Sequence, residues 1–163
     1  MRKKKNRLLS ELLKDSKRSD RELSKILKTS QPTVSRMRQT LVKNGLIQEF
    51  TAIPDLTKLG FQILAISTFR TAESQEIAER ATRWTMSKPN VLYAARAEGM
   101  GKNGVMISIH KDYADYVKFI REVKNEGEGI IRNQDSLLIS LNSLTIKPFS
   151  LKHLAQLIET TQD

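Results

Sequence analysis

The chain has 163 residues, of which 28% are charged and 39% hydrophobic, and it contains no cysteine. This length allows one large domain or two small ones, and the missing cysteine excludes disulfides and thiolate metal sites. No apolar run approaches the roughly 18 residues of a membrane span, and no hydrophobic segment follows the basic N-terminus, as it would in a secretory signal. We therefore expect a cytoplasmic protein.

The net charge of +10 is distributed unevenly. Residues 1–53 hold 14 Lys and Arg against 5 Asp and Glu, giving +9, whereas residues 54–163 hold 14 against 13, giving +1. A polyanionic partner is the simplest reason to concentrate charge in one segment. An anionic membrane would attract it too, but the helices predicted there are short and lack a large aromatic face, so we expect no membrane partner.

The first 44 residues predict three helices. A basic arm, residues 2–5, leads into the first helix, residues 5–14, and the second covers residues 19–28 behind a capping box of Ser19 and Glu22. The third, residues 31–44, has Pro32 in its first turn and ends at Asn44-Gly45. Their apolar stripes are Leu8, Leu9, Leu12 and Leu13, then Leu23, Ile26 and Leu27, then Val34, Met37 and Leu41.

The front of the third helix, opposite its apolar stripe, contains no acidic residue. Hydroxyl, amide, guanidinium and ammonium groups there suit phosphates and base edges, which is typical of a helix-turn-helix that enters the major groove. An ordinary helical hairpin with a basic solvated face stays open. The candidate DNA-binding residues are Ser30, Gln31, Pro32, Thr33, Ser35, Arg36, Gln39 and Lys43.

Within that set we expect Arg36 to make the main base contact, because guanidinium fits guanine O6 and N7 bidentately. Gln39 and Ser35 are further candidate base readers, while Thr33, Lys43 and the basic arm are expected to hold phosphates. Ser30 and Gln31 lie at a helix N-terminus, where backbone N–H groups favour an anion.

Residues 46–53 partly alternate and predict a wing or linker strand, which makes the N-terminal 53 residues a winged helix domain. Residues 54–60 predict a linker, 61–147 a second domain, and 148–163 a C-terminal helix, centred on residues 151–158.

The second domain predicts a β-α-β-β-α-β order, the ferredoxin-like arrangement, so the fold class is α+β. Its first three strands cover residues 61–70, 91–97 and 105–110, and the fourth lies within residues 136–146. Its helices cover residues 73–87 and 112–124. The apolar faces expected on the two helices are Ile77, Ala81 and Trp84, and Tyr113, Val117 and Ile120. A glycine-rich turn spans residues 98–104.

Residues suited to catalysis are sparse. The two histidines, His110 and His153, lie far apart in sequence, and His110 at a strand end is most simply structural. The turn from Gly99 to Gly104 precedes a strand and lacks the Gly-Lys-Ser/Thr of a phosphate-binding loop. We expect no enzyme activity, no catalytic or metal site, and no cofactor.

Six short segments carry a resemblance to known proteins: residues 19–23 (SDREL), 30–36 (SQPTVSR), 44–47 (NGLI), 50–51 (FT), 53–55 (IPD) and 58–60 (KLG). Through them the sequence resembles the Lrp/AsnC family of bacterial and archaeal transcriptional regulators, and especially archaeal members, in which Ser-Gln-Pro-Thr-Val recurs. The resemblance implies a winged helix followed by a ferredoxin-like regulatory domain, called RAM, that mediates dimerisation and often higher assembly, such as tetramers or octamers.

The resemblance also implies an amino-acid effector near the turn between the second and third strands. Family members that bind one have an Asp three residues after a Gly, where this chain has Gly104 after Gly101. Free amino acids are therefore expected to bind weakly, and an anionic ligand or an inter-subunit carboxylate opposite Lys102 is favoured; a mobile hairpin without ligand stays open. The residues of this effector or subunit-interface turn are Gly99, Met100, Gly101, Lys102, Asn103 and Gly104.

The recognition helix departs from the family pattern as well, since Arg38 stands where an aliphatic residue is usual and Met37 where Arg is frequent. We expect a dimeric or larger, sequence-specific regulator that binds double-stranded DNA. The alternative is a small-molecule sensor whose basic domain binds RNA or a partner protein, although the strands lack an aromatic pair for stacking RNA bases.

Overall fold

The computed structural model describes residues 2–128 and 130–160. The chain divides into two compact units, of which the first combines Met1–Ile53 with Lys147–Asp163 and the second is Pro54–Ile146. The helices of the first unit are α1 (Arg2–Lys14), α2 (Asp20–Leu27), α3 (Gln31–Lys43) and a C-terminal helix after the second unit.

One apolar cluster holds α1, α2 and α3 together. It consists of most of the predicted stripes, but Leu9 packs only against its edge, and the half-buried Leu13 and Ile26 are not members. Each helix contributes positions three and four apart, which lie on one side of a helix. The buried members are Leu8, Leu12, Leu23, Leu27, Val34, Met37 and Leu41.

Local capping sets the ends of α2 and α3. The predicted capping box is present, with the Ser19 hydroxyl accepting from the Glu22 amide and the Glu22 carboxylate accepting from the Ser19 amide. At the end of α3, Gly45 (φ +68°) donates to the Val42 carbonyl and Leu46 to the Leu41 carbonyl, at 2.9 and 3.0 Å. This pair of bonds is a Schellman motif.

Two N-terminal predictions are wrong. Residues 2–5 are the first turn of α1 rather than an arm, because nothing in them interrupts a helix that Leu8 and Leu12 anchor. The segment 46–53 forms no strand within the described chain, because the four strands pair only among themselves and leave it without a partner. Phe50 in this segment is half exposed.

The C-terminal helix packs against α1. Ala155 is 1% exposed, and the buried Ser10 hydroxyl lies 2.6 Å from Glu159 Oε1. Lys14 Nζ bridges Glu159 and Glu11 at 2.7 and 2.9 Å, and its hydrogen bond is the main cause that lowers the pKa of Glu159. This helix is α6 (Leu154–Thr160), and it follows a short 3-10 turn, Leu151–His153.

The second unit is a four-stranded sheet with both helices on one face. The strand order is β2-β3-β1-β4 and every neighbouring pair is antiparallel, so the predicted ferredoxin-like arrangement is confirmed. The elements are β1 (Ile63–Thr71), α4 (Gln75–Met86), β2 (Val91–Gly99), β3 (Lys102–His110), α5 (Tyr113–Glu126) and β4 (Ile131–Ser140).

The buried face of α5 differs from the prediction. Tyr113 is 63% exposed, and the buried stripe is Tyr116, Phe119 and Val123, while Ile120 only borders the core. Both stripes obey helical spacing, so periodicity cannot separate them. Contact with the sheet decides, because Phe119 and Val123 meet Phe69 of β1 and Met106 of β3, with Trp84 of α4 against the same cluster.

The bounds of β3 and β4 differ most from the predicted strands. β3 begins three residues earlier than predicted, at Lys102, and β4 runs over Ile131–Ser140 rather than within 136–146. The prediction relied on apolar residues, and the polar Arg132 and Asp135 therefore made the start of β4 look like a loop. Pairing with β1 along Ile63–Thr71 supplies the backbone hydrogen bonds that place β4 there.

His110 is a fully buried side chain of the second unit. Its Nε2 lies 2.9 Å from the Ser108 hydroxyl, and its ring packs 5.4 Å from Tyr116 and 5.1 Å from Phe119. Burial lowers the pKa of His110, and the charge of Asp115, 3.8 Å from Nδ1, only partly opposes that shift. The imidazole is therefore held neutral, and a structural role fits it.

A neutral buried histidine makes stability depend on pH. The unfolded chain binds the proton near the ordinary pKa of about 6.5, whereas the folded chain binds it only at lower pH. The stabilisation is therefore fully present above about pH 6.5, the ordinary pKa, and is lost as the pH falls from there through the lowered pKa. Urea unfolding should show a lower free energy of unfolding at pH 5.5 than at pH 7.5, and His110→Gln should abolish this difference. The control His153→Gln, on an exposed side chain of the other unit, should keep the loss; equal pH slopes in both variants would contradict the assignment.

Candidate nucleic-acid interface

The turn between α2 and α3 is tight and specific. Lys28 ends α2 in the left-handed conformation, with φ +48°, and the Thr29 amide donates back to Ser24 at 3.0 Å. Ser30 then caps α3, because its hydroxyl accepts from the Thr33 amide and lies 2.8 Å from the Thr33 hydroxyl. The two helices therefore meet without a flexible connection.

Burial of the α3 stripe determines which side chains face outward. With Val34, Met37 and Leu41 in the core, Pro32, Arg36, Gln39 and Lys43 lie on the opposite side, within about 60° at 100° per residue. The exposed members of the predicted set are Ser30, Gln31, Pro32, Thr33, Arg36, Gln39 and Lys43, and Ser35 is half-buried beside them.

The cations of this stripe are unneutralised. Among the described residues of the first unit, the ion pairs involve Lys14, Arg18 and Arg38, and neither Arg36 nor Lys43. Ser30 and Thr33, by contrast, already use their hydroxyls on each other. An exposed guanidinium, amide and ammonium along one helix can donate to base edges and phosphates.

The turn between β2 and β3 is shorter than predicted. Met100 and Gly101, with φ of +52° and +71°, are its two central residues, and Gly99 pairs with Lys102 on either side. Positive φ at both centres matches the two-residue hairpin turn whose twist suits the flanking strands. The turn therefore comprises two residues, and Asn103 and Gly104 belong to β3.

Two polar side chains of that hairpin are already engaged within the chain. Lys102 is buried and its Nζ lies 2.5 Å from Asp135 Oδ2 of β4, so a carboxylate of the same chain already pairs with it. The Asn103 amide accepts from Thr71 N–H and donates to Thr71 C=O, both at 2.9 Å. It imitates the backbone pairing of two strands.

No group of three or more possible metal ligands occurs among the described residues. No helix in the described ranges is long and apolar enough to cross a membrane. What the geometry offers is a basic, exposed helix on a three-helix core, and this defines a helix-turn-helix DNA-binding protein.

The comparisons with known proteins agree. Residues 1–48 match a family model described as winged helix-turn-helix DNA-binding. The chain is 27% identical over 140 residues to the uncharacterized HTH-type transcriptional regulator PH0061 of Pyrococcus horikoshii, covering 82% of this chain and 88% of the relative. It is 32% identical over 94 residues to the HTH-type transcriptional regulator LrpC of Bacillus subtilis, covering 56% and 62%.

Solved structures share the fold of both units. An AsnC family transcriptional regulator from Agrobacterium tumefaciens has a TM-score of 0.80 at 23% identity, covering 92% of this chain and 94% of that one. A transcriptional regulator of Neisseria meningitidis, solved as an L-Met complex, has a TM-score of 0.78 at 16% identity, covering 93% and 97%. The chain is similar to transcriptional regulators of the Lrp/AsnC type, and the resemblance found in the sequence is confirmed.

Proposed function

We propose that this regulator recognises a specific DNA sequence through the exposed stripe of α3 and does so as a dimer. The observation that supports it most is the orientation of α3, whose buried face leaves Arg36, Gln39 and Lys43 facing outward. Neither of the two cations, Arg36 and Lys43, is in an ion pair among the described residues of this unit. Duplex DNA suits these donors, and the net charge of +9 over residues 1–53 favours a polyanion. A non-catalytic role and a cytoplasmic location belong to the same proposal.

The side chains differ in their proposed roles. Arg36 is assigned to a guanine edge, with Gln39 and Ser35 as further base readers, and Lys43 to a phosphate. Ser30 and Gln31 are assigned to an anion at the N-terminus of α3, where the helix dipole favours negative charge. Thr33, bonded to Ser30, supports that end of α3 and adds a phosphate contact.

Arg36→Ala is the sharpest test of base reading. It should cost roughly 1–3 kcal/mol per half-site on preferred DNA and relax base preference at one position. Lys43→Ala, the matched control, should weaken preferred and random DNA by the same factor and reduce the salt slope by about 1. Fluorescence anisotropy over a salt series measures both, with single-stranded RNA as competitor. Equal weakening of both DNAs by Arg36→Ala would refute its assignment, and preference for RNA would favour the alternative function.

The face of the sheet away from α4 and α5 is apolar. Phe69 and Met106 face the helices, so their alternating neighbours lie on the other side. Register aligns Ile66 with Leu137 and with Ile107, and Ile107 with Tyr93. Leu137 is 64% exposed and Tyr93 55%. Contiguous apolar surface of this kind usually marks an interface.

We assign a second copy of the chain to this face. One recognition helix covers only a half-site, and dimers place two such helices one helical turn of DNA apart. A two-fold axis makes the same patch serve both copies, so an apolar sheet face can cover its own equivalent. This supports dimerisation through the second unit; tetramers or octamers would need further surfaces.

Leu137→Glu should convert the dimer to a monomer, because it buries a carboxylate in each half of the interface. Lys118→Glu, on the exposed side of α5, is the control and should leave the dimer intact. Sedimentation equilibrium of the full chain measures the mass, and the monomer should bind paired half-sites far more weakly. A wild-type chain that sediments as a monomer would overturn the dimer. The full chain is needed because residues 1–53 alone lack α6.

For the effector, we propose that free amino acids bind weakly at the β2–β3 turn. The Asp that amino-acid-binding members have is replaced by Gly104, and the one cation there, Lys102, is neutralised by Asp135. An anionic ligand at Lys102, the expectation from the sequence, is correspondingly less favoured. The L-Met bound to the Neisseria regulator makes methionine the first ligand to try.

Gly104→Asp tests this proposal by restoring the carboxylate. A Cβ at Gly104 would find its nearest atoms at 4.0 Å, and the residue lacks a positive φ, so the substitution fits. Calorimetry against the twenty amino acids should detect no micromolar binding to the wild type and tighter binding to Gly104→Asp than to the control Gly104→Asn. Micromolar binding of any amino acid to the wild type would defeat the proposal.

A further inference from the structure

We propose that Arg38, although it lies on the recognition helix, is a positioning residue that sets the orientation of α3 and does not contact DNA. An arginine in the middle of such a helix would ordinarily be assigned to a base or a phosphate. Its surroundings indicate another task. This inference rests on the proposed reading of DNA by α3.

The Arg38 guanidinium is directed at the start of α2. Its Nε lies 2.9 Å from Asp20 Oδ1 and its second terminal nitrogen 2.8 Å from the same oxygen. That nitrogen also donates to the Arg18 carbonyl at 3.0 Å. The two charged side chains are only 22% and 23% exposed, so solvent and salt screen the pair less than they would a surface pair.

A third contact reaches the segment that leaves the DNA-binding unit. The guanidinium carbon of Arg38 lies 5.8 Å from the centre of the Phe50 ring, within the range of a cation–π contact. Phe50 belongs to the segment 46–53, which has no strand to hold it. One side chain therefore links the middle of α3, the first turn of α2 and the exit segment.

This linkage supplies what the apolar core does not. Hydrophobic contact between the helices is non-directional, so the cluster of Leu23, Leu27, Val34, Met37 and Leu41 tolerates small rotations of α3. A planar guanidinium held by a carboxylate and a carbonyl is directional. Because Arg36 lies only two residues away, a small rotation of α3 displaces its base-reading atoms.

The experiment compares Arg38→Met, Arg38→Lys and Asp20→Asn on preferred and random DNA over a salt series. As a positioning residue, Arg38 should be needed for preferred DNA only. We expect Arg38→Met and Asp20→Asn each to weaken preferred DNA about tenfold, the scale of one lost charge-assisted bond, with random DNA and the salt slope unchanged. Arg38→Lys keeps the positive charge but loses the planar guanidinium, so its affinity for preferred DNA should be little better than that of Arg38→Met.

A direct DNA contact makes the opposite prediction for Asp20→Asn. Removing that carboxylate would release Arg38 and remove a repelling charge, so binding would tighten, while Arg38→Met would reduce the salt slope by about 1. Either result would overturn the proposal. The double variant, Arg38→Met with Asp20→Asn, gives a further test. If the two residues act as one unit, it should weaken preferred DNA no more than either single variant does.

Stability and DNA discrimination must be separated. Ser10→Ala, which weakens the α1–α6 contact in the same unit, serves as the destabilised control and should keep full discrimination. Loss of discrimination in Ser10→Ala as well would reduce Arg38 to a merely stabilising residue. If the wild type itself fails to distinguish preferred from random DNA, the proposed function fails; if it does distinguish them and Asp20→Asn changes nothing, only this inference fails.

Discussion

The rotation of α3 about its own axis is the constraint on which the DNA-binding surface depends. Burial of Val34, Met37 and Leu41 fixes that rotation coarsely, and every outward residue takes its position from theirs. Burying three such side chains is worth several kcal/mol, roughly 1.5–3 each, far more than any single exposed contact of the helix. The buried side of α3 thus determines where its DNA-binding residues lie, and the directional hydrogen bonds of Arg38 are proposed to set the angle of the helix more closely.

Much of the first unit could be predicted from sequence because its signals are local. Capping at Ser19 and Ser30, the stop at Gly45 and the apolar stripes all operate within one or two helical turns. The basic front of α3 follows from the same stripes. The missing wing was not predictable this way, because a strand depends on a partner, and the alternation of residues 46–53 cannot say whether one exists.

The second unit shows where local reasoning ends. Strand order was predicted, but the α5 stripe was chosen wrongly because two faces had equal periodicity and only the sheet distinguishes them. Lys102 looked like a free cation because its partner, Asp135, is distant in sequence and meets it only once β4 has paired with β1. Likewise, nothing local indicates that Asn103 continues a ladder to Thr71.

The contact between α6 and α1 has a consequence for how the protein is made. Ser10 and Lys14 can bond to Glu159, and Ala155 can be buried, only after residues 151–160 have been synthesised. During synthesis, which proceeds from the N-terminus, the whole second unit emerges from the ribosome before α6 does. The three-helix core can therefore form early, but the DNA-binding unit is completed only when α6 joins it. By then the second unit, which lies between α3 and α6 in the sequence, has already been synthesised.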